Sequence, residues 1–165
     1  MKHKLLVKQA FMIVLMAAIT MGCKKDDGDD GIIDTSAGIE GTWELTALSF
    51  TYKAGPLVAS SVGQDINDVL LTINSDGTTT GNGKTFDVET SIAGTSGSAS
   101  TESELIVNEG EWRKNGNTFT WTGQGDSRDF TIRELTGTSL HLTGDYGDEI
   151  AFGRFNSIDM KFTRK

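Results

Sequence analysis

The chain has 165 residues, of which 36% are hydrophobic and 23% charged, so it is long enough for one domain with a proper hydrophobic core. Its formal net charge of −8 argues against nucleic acid as a partner, because phosphate backbones are bound by clustered lysine and arginine. The chain has a single cysteine and therefore no disulfide within it, so packing alone must hold the fold.

The first 22 residues have the three parts of a secretory signal peptide. Lysines at positions 2, 4 and 8 form a basic start, an apolar run covers residues 11–19, and Thr20-Met21-Gly22 leads to Cys23. The apolar run is too short for a membrane-spanning helix. This ending resembles a bacterial lipobox, in which Cys23 is lipidated and becomes the first mature residue. The alternative is an ordinary cleaved signal peptide with an incidental thiol.

Lipidation explains both the position and the isolation of Cys23, since a lone cysteine in an exported chain otherwise needs a partner from another chain. The lipobox resemblance implies two or three acyl chains, which is enough for stable membrane anchoring. The next residues, Lys24-Lys25-Asp26-Asp27, resemble the surface-export tag of Bacteroides-type lipoproteins, and the alternative is a solvated charged linker. We therefore expect an outer-membrane lipoprotein that is exposed at the cell surface or faces the periplasm.

Without residues 1–22, the chain has 12 basic and 23 acidic residues, a formal charge of −11. This charge argues against an electrostatic hold on anionic lipid, which leaves Cys23 as the expected membrane contact. Residues 23–38 begin with aspartates that alternate with glycines and are predicted to form a flexible acidic tether. The remaining residues, 39–165, are predicted to form the folded domain.

Nearly every segment from Gly41 onward has the composition of a β-strand. Within residues 42–53 the apolar parity shifts between Ala47 and Leu48, and a β-bulge there would keep both sets of side chains inward. Residues 69–74 alternate as a second strand, although the run 66–73 is also compatible with a short helix. Asp76-Gly77 and Asn82-Gly83 each predict a hairpin turn.

The second half of the chain continues the same pattern. Residues 86–92 alternate as a strand, whereas Ala93–Ser103 has low complexity and is predicted to be a long loop. Further strands are predicted at 106–112, 118–122, 130–132, 140–142 and 158–163, with turns at Asn115-Gly116 and Gly137. Eight to ten short strands joined in this way predict an all-β fold, an antiparallel barrel or sandwich.

Several motifs in order carry a family resemblance. They are Gly41-Thr42-Trp43 at the first strand, Ile73–Thr78 at a hairpin, Gly110-Glu111-Trp112 followed by Asn115–Phe119, and Leu135–Leu140. Together they resemble the lipocalin-like lipoproteins of Bacteroides-type bacteria over residues 39–165. The resemblance implies an antiparallel up-and-down β-barrel. Lipocalins proper often carry a further basic residue and a disulfide that support the barrel, and this chain lacks the disulfide.

Aromatic side chains are the candidate lining of a barrel cavity. They are Trp43, Phe50, Phe86, Trp112, Phe119, Trp121, Phe130 and Phe162. The same rings could fill the barrel instead, because eight-stranded barrels are near the size at which side chains alone occupy the interior. We expect a filled or nearly filled core. No cofactor is predicted.

Residues with catalytic potential are scarce. The only histidine after the signal peptide is His141, and its apolar neighbours Leu140 and Leu142 predict that it faces outward as a surface residue. Acidic residues near turns, namely Glu102, Glu104, Asp145, Asp148 and Glu149, show no sign of the paired geometry of a glycosidase. We therefore expect a protein that is not an enzyme.

Three functions remain open. The first is a noncatalytic lipocalin-like module that binds a small apolar ligand. The second is a surface module that binds a glycan or a protein through its loops. The third, a carboxylate-based hydrolase, has the least support from the sequence.

Overall fold

The computed structural model describes residues 32–34, 36–54, 57–92, 95–102, 109–123, 125–145, 149–150, 153–154 and 157–165. The predicted signal peptide (1–22), the predicted lipidation site Cys23, and residues 24–31 of the predicted tether lie outside the described residues. Glu104 and Asp148 lie outside them as well.

The described part of the chain contains strands and no helix. The strands are β1 (Gly41–Ala54), β2 (Leu57–Gln64), β3 (Leu70–Ile73), β4 (Thr78–Gly81), β5 (Thr85–Ile92), β6 (Thr95–Glu102), β7 (Gly110–Asn115), β8 (Thr118–Gly123), β9 (Asp126–Leu135), β10 (Ser139–Gly144), β11 (Glu149–Ile150), β12 (Gly153–Arg154) and β13 (Ser157–Arg164). Within this part of the chain, no helix has the length and apolar character needed to cross a membrane.

Eight of these strands close into an antiparallel barrel, in the order β1-β3-β4-β7-β8-β9-β10-β13 and back to β1. Closure depends on the pairing of β13 with β1, which runs from Trp43 opposite Arg164 to Thr51 opposite Ser157. The predicted all-β barrel is therefore confirmed. We call the end at which β1 begins the lower end and the end at which β1 finishes the upper end.

The upper part of the barrel wall extends beyond this ring. The second half of β1 pairs with β2, β2 pairs with β5, and β5 pairs with β6. We call these four strands, the second half of β1 together with β2, β5 and β6, the ledge. Because β2 and β3 both run antiparallel to β1, they are two pieces of one barrel strand, and β4 and β5 are likewise two pieces of the next.

One turn prediction is wrong and the other is confirmed. Asn82-Gly83 is no hairpin turn, because β4 and β5 continue in one direction and residues 82–84 interrupt a single barrel strand. Here the Asn82 side chain replaces a strand partner: its Oδ1 accepts from the Leu70 amide at 3.0 Å and its Nδ2 donates to the Asp68 carbonyl. Asp76-Gly77 does form a hairpin turn, with Gly77 at φ 87° and the Asn74 amide donating to the Thr78 carbonyl at 2.9 Å.

The segment predicted as the loop Ala93–Ser103 is mostly strand. β6 covers Thr95–Glu102 and pairs with β5 along its whole length, from Ile92 opposite Thr95 to Thr85 opposite Glu102. Its small polar residues give no alternating hydrophobic signal. Backbone pairing with a strand that is itself well patterned is what makes it a strand.

A bulge is present in β1, slightly earlier than the predicted position between Ala47 and Leu48. The register of β1 against β13 shifts between Leu45 and Ala47, so Thr46 is the additional residue. Leu45 before the bulge and Leu48 and Phe50 after it are all buried. The additional residue therefore keeps both apolar sets of β1 inside the barrel.

Contacts with the barrel begin before Gly41. Ile33 forms a bridge with Leu135, whose amide donates to the Ile32 carbonyl at 3.0 Å and whose carbonyl accepts from the Asp34 amide at 2.8 Å. Ile39 is buried in the core. The described residues of the predicted tether, from Ile32 onward, are therefore bound to the lower end of the barrel.

Candidate functional site

The lower end of the barrel is sealed around Trp43. This side chain is fully buried, and its indole Nε1 donates to the Ile39 carbonyl at 2.7 Å. The guanidinium of Arg164 lies 4.2 Å from the centroid of the Trp43 ring, within the range of a cation–π interaction.

The same guanidinium ties three segments together. Arg164 donates from Nη2 to the Gly38 carbonyl at 2.6 Å, from Nη1 to the Glu40 carbonyl at 2.7 Å, and from Nε to the Gly137 carbonyl at 2.8 Å. Gly41 has φ +135°, and a side chain there would lie 2.5 Å from Nη1 of Arg164. These contacts hold the start of β1, the β9–β10 turn and the end of β13 in one arrangement.

The sequence analysis did not single out Arg164, although the pattern contains a signal for it. Ile158, Met160 and Phe162 alternate as the inner residues of β13, and the same period of two places Arg164 on the inner face. An arginine at an inward position requires partners, because an unpaired charge there is costly. Arg164 meets this requirement with the three carbonyls and the Trp43 ring.

Among the described residues, the middle of the barrel holds a small cavity of about 20 Å³, lined by Leu71, Phe119, Trp121, Phe130, Leu142, Met160 and Phe162. This volume suits about one water molecule, whereas cavities for small organic ligands measure roughly 300–1,000 Å³. A ligand inside this part of the barrel would require its side chains to move.

Trp121 is the largest side chain against this cavity. Its indole Nε1 donates to Thr79 Oγ1 at 3.0 Å, across the gap between β8 and β4. Glycines at positions 110 and 123 leave room for the ring: a side chain at Gly110 would lie 2.7 Å from the indole nitrogen, and one at Gly123 would lie 2.6 Å from Cη2. Trp121 is thus seated between two glycines and fixed by one hydrogen bond.

The eight aromatic residues of the sequence analysis join one hydrophobic core but occupy different levels of the barrel. Four of them line the small cavity, namely Phe119, Trp121, Phe130 and Phe162. Trp43 belongs to the lower end. Trp112 stacks on Phe119, with ring centroids 6.0 Å apart, and donates to the Asn74 carbonyl at 2.8 Å.

The remaining two, Phe50 and Phe86, are buried at the upper level, on the inner face of the ledge. Cross-strand partners share a face, so the register assigns the other members of this face. We call this face the upper wall. It consists of Phe50, Tyr52, Ala59, Ser61, Phe86, Val88, Thr90 and Ile92.

The upper wall becomes progressively exposed toward its tip. Phe86 on β5 is 4% exposed, Val88 is half-buried, and Ile92 is 49% exposed. One polar pair interrupts this wall: the hydroxyls of Ser61 and Thr90 lie 2.8 Å apart and share a hydrogen bond. Apart from this pair and the Tyr52 hydroxyl, the wall is apolar and can accept an apolar surface.

The outer face of β9, β10 and β13 carries polar groups. His141 faces outward as expected, and its Nε2 lies 2.9 Å from Asp159 Oδ2. Nearby, Arg133 Nε donates to Thr143 Oγ1 at 3.1 Å. Among the residues that the structure describes, no cluster of His, Cys, Asp and Glu is arranged to hold a metal ion. The groups in this region are thus engaged with one another.

The family model described as a lipocalin-like domain matches residues 39–142. The chain belongs to the lipocalin-like domain family. Comparisons with curated proteins and with solved structures gave no match. The matched residues of this lipocalin-like domain end within β10, so β13 and its Arg164 follow them and complete the barrel.

Proposed function

We propose that this lipocalin-like protein is a lipid-anchored lipoprotein of the cell envelope that binds a small apolar ligand at the upper wall and catalyses no reaction. The observation that carries the proposal is the apolar character of the upper wall beyond the closed ring. Covering apolar side chains of this kind with a ligand is favourable by roughly 25 cal/mol per Å² of apolar surface removed from water.

The chemistry of the upper wall defines the ligand class. Its side chains carry no charge, and its one polar pair, Ser61 with Thr90, is already satisfied internally. A charged ligand would lose hydration there without gaining a partner. The ligand is therefore an apolar chain or ring system, seated against Phe86, Val88 and Ile92.

The small cavity lies directly below this wall. Met160, one of its lining residues, is the register partner of Leu48, which precedes Phe50 by two positions on β1. Movement of the lining side chains would let the cavity extend the site inward. Lipocalin-like barrels are suited to this use, because an eight-stranded barrel can hold one small ligand.

The ledge offers a matched pair of substitutions for a test. Ile92 and Val62 lie in the same sheet with similar exposure, 49% and 45%. Their cross-strand partners place them on opposite faces, since Ile92 shares a face with Ala59 and Val62 lies on the other face of β2. Ile92→Asp should weaken binding of an uncharged apolar fluorescent probe, N-phenyl-1-naphthylamine, at least about tenfold, because it places a charge on the wall.

The control, Val62→Asp, adds the same charge outside the wall and should leave binding unchanged. Titration of the probe into wild type and both variants measures the two dissociation constants, and circular dichroism checks that both variants fold. The ligand proposal would be abandoned if wild type did not bind the probe or if the two variants bound it equally.

The anchor proposal is supported by the sequence around Cys23. Nine residues, 23–31, separate the proposed lipid from Ile32, where contacts with the barrel begin. Such a segment reaches at most about 30 Å when fully extended. The Lys24-Lys25-Asp26-Asp27 run supports export to the outer surface of the outer membrane.

The test of the anchor is Cys23→Ser. Acyl chains supply about 0.8 kcal/mol of membrane affinity per buried CH₂ group, and the acidic chain offers no electrostatic substitute. The variant should therefore leave the membrane fraction while its barrel stays folded. Uptake of labelled fatty acid by wild type is the control. Absence of label in wild type, or full retention of the variant in the membrane, would contradict the lipoprotein proposal.

A further inference from the structure

The ledge ends in a strand with a free edge. β6 is hydrogen-bonded to β5 along eight residues on one side. On its other side it has no partner strand among the described residues, and it is the terminal member of the sheet. Such an edge offers a row of backbone N–H and C=O groups to any extended segment.

The residues of this edge strand lack the usual protections. Natural edge strands are blunted by proline, by lysine or by other charges, and β6 (Thr-Ser-Gly-Ser-Ala-Ser-Thr-Glu) has one charged residue, Glu102, at its end. Its residues are small, so they offer no deep pockets for the side chains of a foreign peptide, which is how β-augmentation gains specificity. An identical strand, by contrast, matches it in length and in side-chain size.

Charge does not oppose an identical partner at this edge. Apart from Glu102 at the end of β6, the nearest described acidic residues are Asp87 and Glu89 on β5, which are exposed and lie opposite Ser100 and Ser98 of β6. If two β6 strands pair, three strand spacings separate the two β5 rows, which is about 14 Å. That distance exceeds the screening length of about 8 Å at physiological ionic strength. Residues 95–101 of β6, which carry no charge, thus separate the acidic rows of the two copies far enough to avoid strong repulsion.

We infer that β6 pairs in antiparallel fashion with β6 of a second copy of this chain, which joins two ledges into one continuous eight-stranded sheet. Antiparallel pairing requires a two-fold axis perpendicular to the sheet, so the two upper walls face the same side. A residue near the centre of β6 then lies opposite its own copy. Ser98 and Ala99 are the central residues.

The geometry permits a direct test by crosslinking. Opposed residues of antiparallel strands have Cβ atoms about 4.5–5.5 Å apart, close enough for a disulfide after small adjustments. In the full chain carrying Cys23→Ser, Ser98→Cys and Ala99→Cys are made separately. One of the two should form an interchain disulfide under mild oxidation. Ser60→Cys is the control, because Ser60 is exposed on β2, inside the same sheet.

Sedimentation equilibrium of the unoxidised chain supplies the second measurement. Ser98→Lys should weaken dimerisation at least about tenfold, because the two ammonium groups meet at the strand pair. Ser60→Lys carries the same change in charge away from the edge and should leave the dimer intact. Added salt should change the dissociation constant of the dimer little, because the acidic rows already lie farther apart than the screening length.

Three outcomes would overturn the inference. The first is a chain that stays monomeric at all concentrations tested and forms no crosslink. The second is a dimer equally sensitive to Ser60→Lys and Ser98→Lys. The third is a crosslink as efficient at Ser60 as at the centre of β6. None of these depends on the apolar ligand, because each readout concerns the outer edge of the ledge.

Discussion

Replacing Arg164 with alanine tests whether the lower seal stabilises the barrel. The variant loses three charge-assisted hydrogen bonds, to the carbonyls of Gly38, Glu40 and Gly137, and the contact with the Trp43 ring at 4.2 Å. Hydrogen bonds to a charged group contribute about 1.5–3 kcal/mol each, and a cation–π contact about 0.5–2 kcal/mol. Water can replace part of the hydrogen bonding, because the three carbonyls lie at an exposed edge.

We therefore expect Arg164→Ala to lower the free energy of unfolding by about 2–4 kcal/mol, a large share of the 5–15 kcal/mol typical of a domain. In urea unfolding followed by circular dichroism, this corresponds to a midpoint lower by about 1–2 M. Arg164→Lys keeps the charge but cannot reach three carbonyls in a fork, so its loss should be about half as large.

Arg133→Ala is the matched control for this experiment. It removes the same charge from an exposed position on β9, where the Nε group donates to Thr143 Oγ1. Its unfolding free energy should fall by less than about 1 kcal/mol. Equal losses in Arg164→Ala and Arg133→Ala would refute the role assigned to the seal.

Three further changes probe other parts of the fold. Trp121→Ala should lower the unfolding free energy by about 2–4 kcal/mol and increase binding of an apolar probe, because it enlarges the small cavity; unchanged stability in urea would contradict this. Gly123→Ala should lower the free energy of unfolding by about 1–3 kcal/mol, because the added methyl would lie 2.8 Å from the Glu109 carbonyl. In Gly97→Ala the added methyl meets nothing within 4 Å, so the loss in the same assay should be less than half as large. Hydrogen bonds from the Thr78 hydroxyl and amide hold the pKa of Asp76 below its ordinary value of 3.8, so this carboxylate stabilises the fold above that pH and ceases to do so as the pH falls through its lowered pKa. Wild type should therefore unfold at a higher urea concentration than Asp76→Asn at pH 7, and this difference in midpoint should shrink as the pH is lowered. A difference that stays constant down to pH 2 would contradict the stabilising role of the ionised carboxylate.

The strands that the sequence predicts well are those with one buried face. In β13, Ile158, Met160 and Phe162 are buried, and the residues between them point away from the core. This alternation exists because an antiparallel barrel places one face on the core and the other toward water, and the sequence therefore has the same period of two. The bulge in β1 was predictable for the same reason, since a shift of parity needs an additional residue.

The features that escaped prediction depend on neighbours distant in the sequence. β6 has no apolar alternation, so its pairing with β5 was invisible, and the segment had the composition of a loop. Asn82-Gly83 has the composition of a hairpin turn, yet the Asn82 side chain bonds to the backbone of Asp68 and Leu70 and interrupts a strand without reversing it. Composition reports which backbone conformations a residue tolerates, whereas tertiary pairing decides which one is used.

Of the upper wall, the sequence analysis named only Phe50 and Phe86, and it did not predict their level in the barrel. The aromatic residues were correctly expected inside the barrel, but the pattern of a strand gives a residue's face and not its level along the axis. Levels follow from register, and register follows from pairing across the barrel, as in Phe50 opposite Ile158 and Ser61. The distinction between Trp43 at the seal and Phe50 at the upper wall therefore emerges only from the closed structure.

The bulge at Thr46 links the seal to the upper wall. β1 supplies Trp43 to the seal and Phe50 to the upper wall. Both side chains must point inward, although seven positions separate them along the strand. In a regular strand an odd separation would place them on opposite faces. The additional residue restores a common face, so a single strand of 14 residues can both close the lower end and line the upper end. Stability and binding thus share one strand but use different parts of it, and this is why changes at Arg164 and at Ile92 can be separated by experiment.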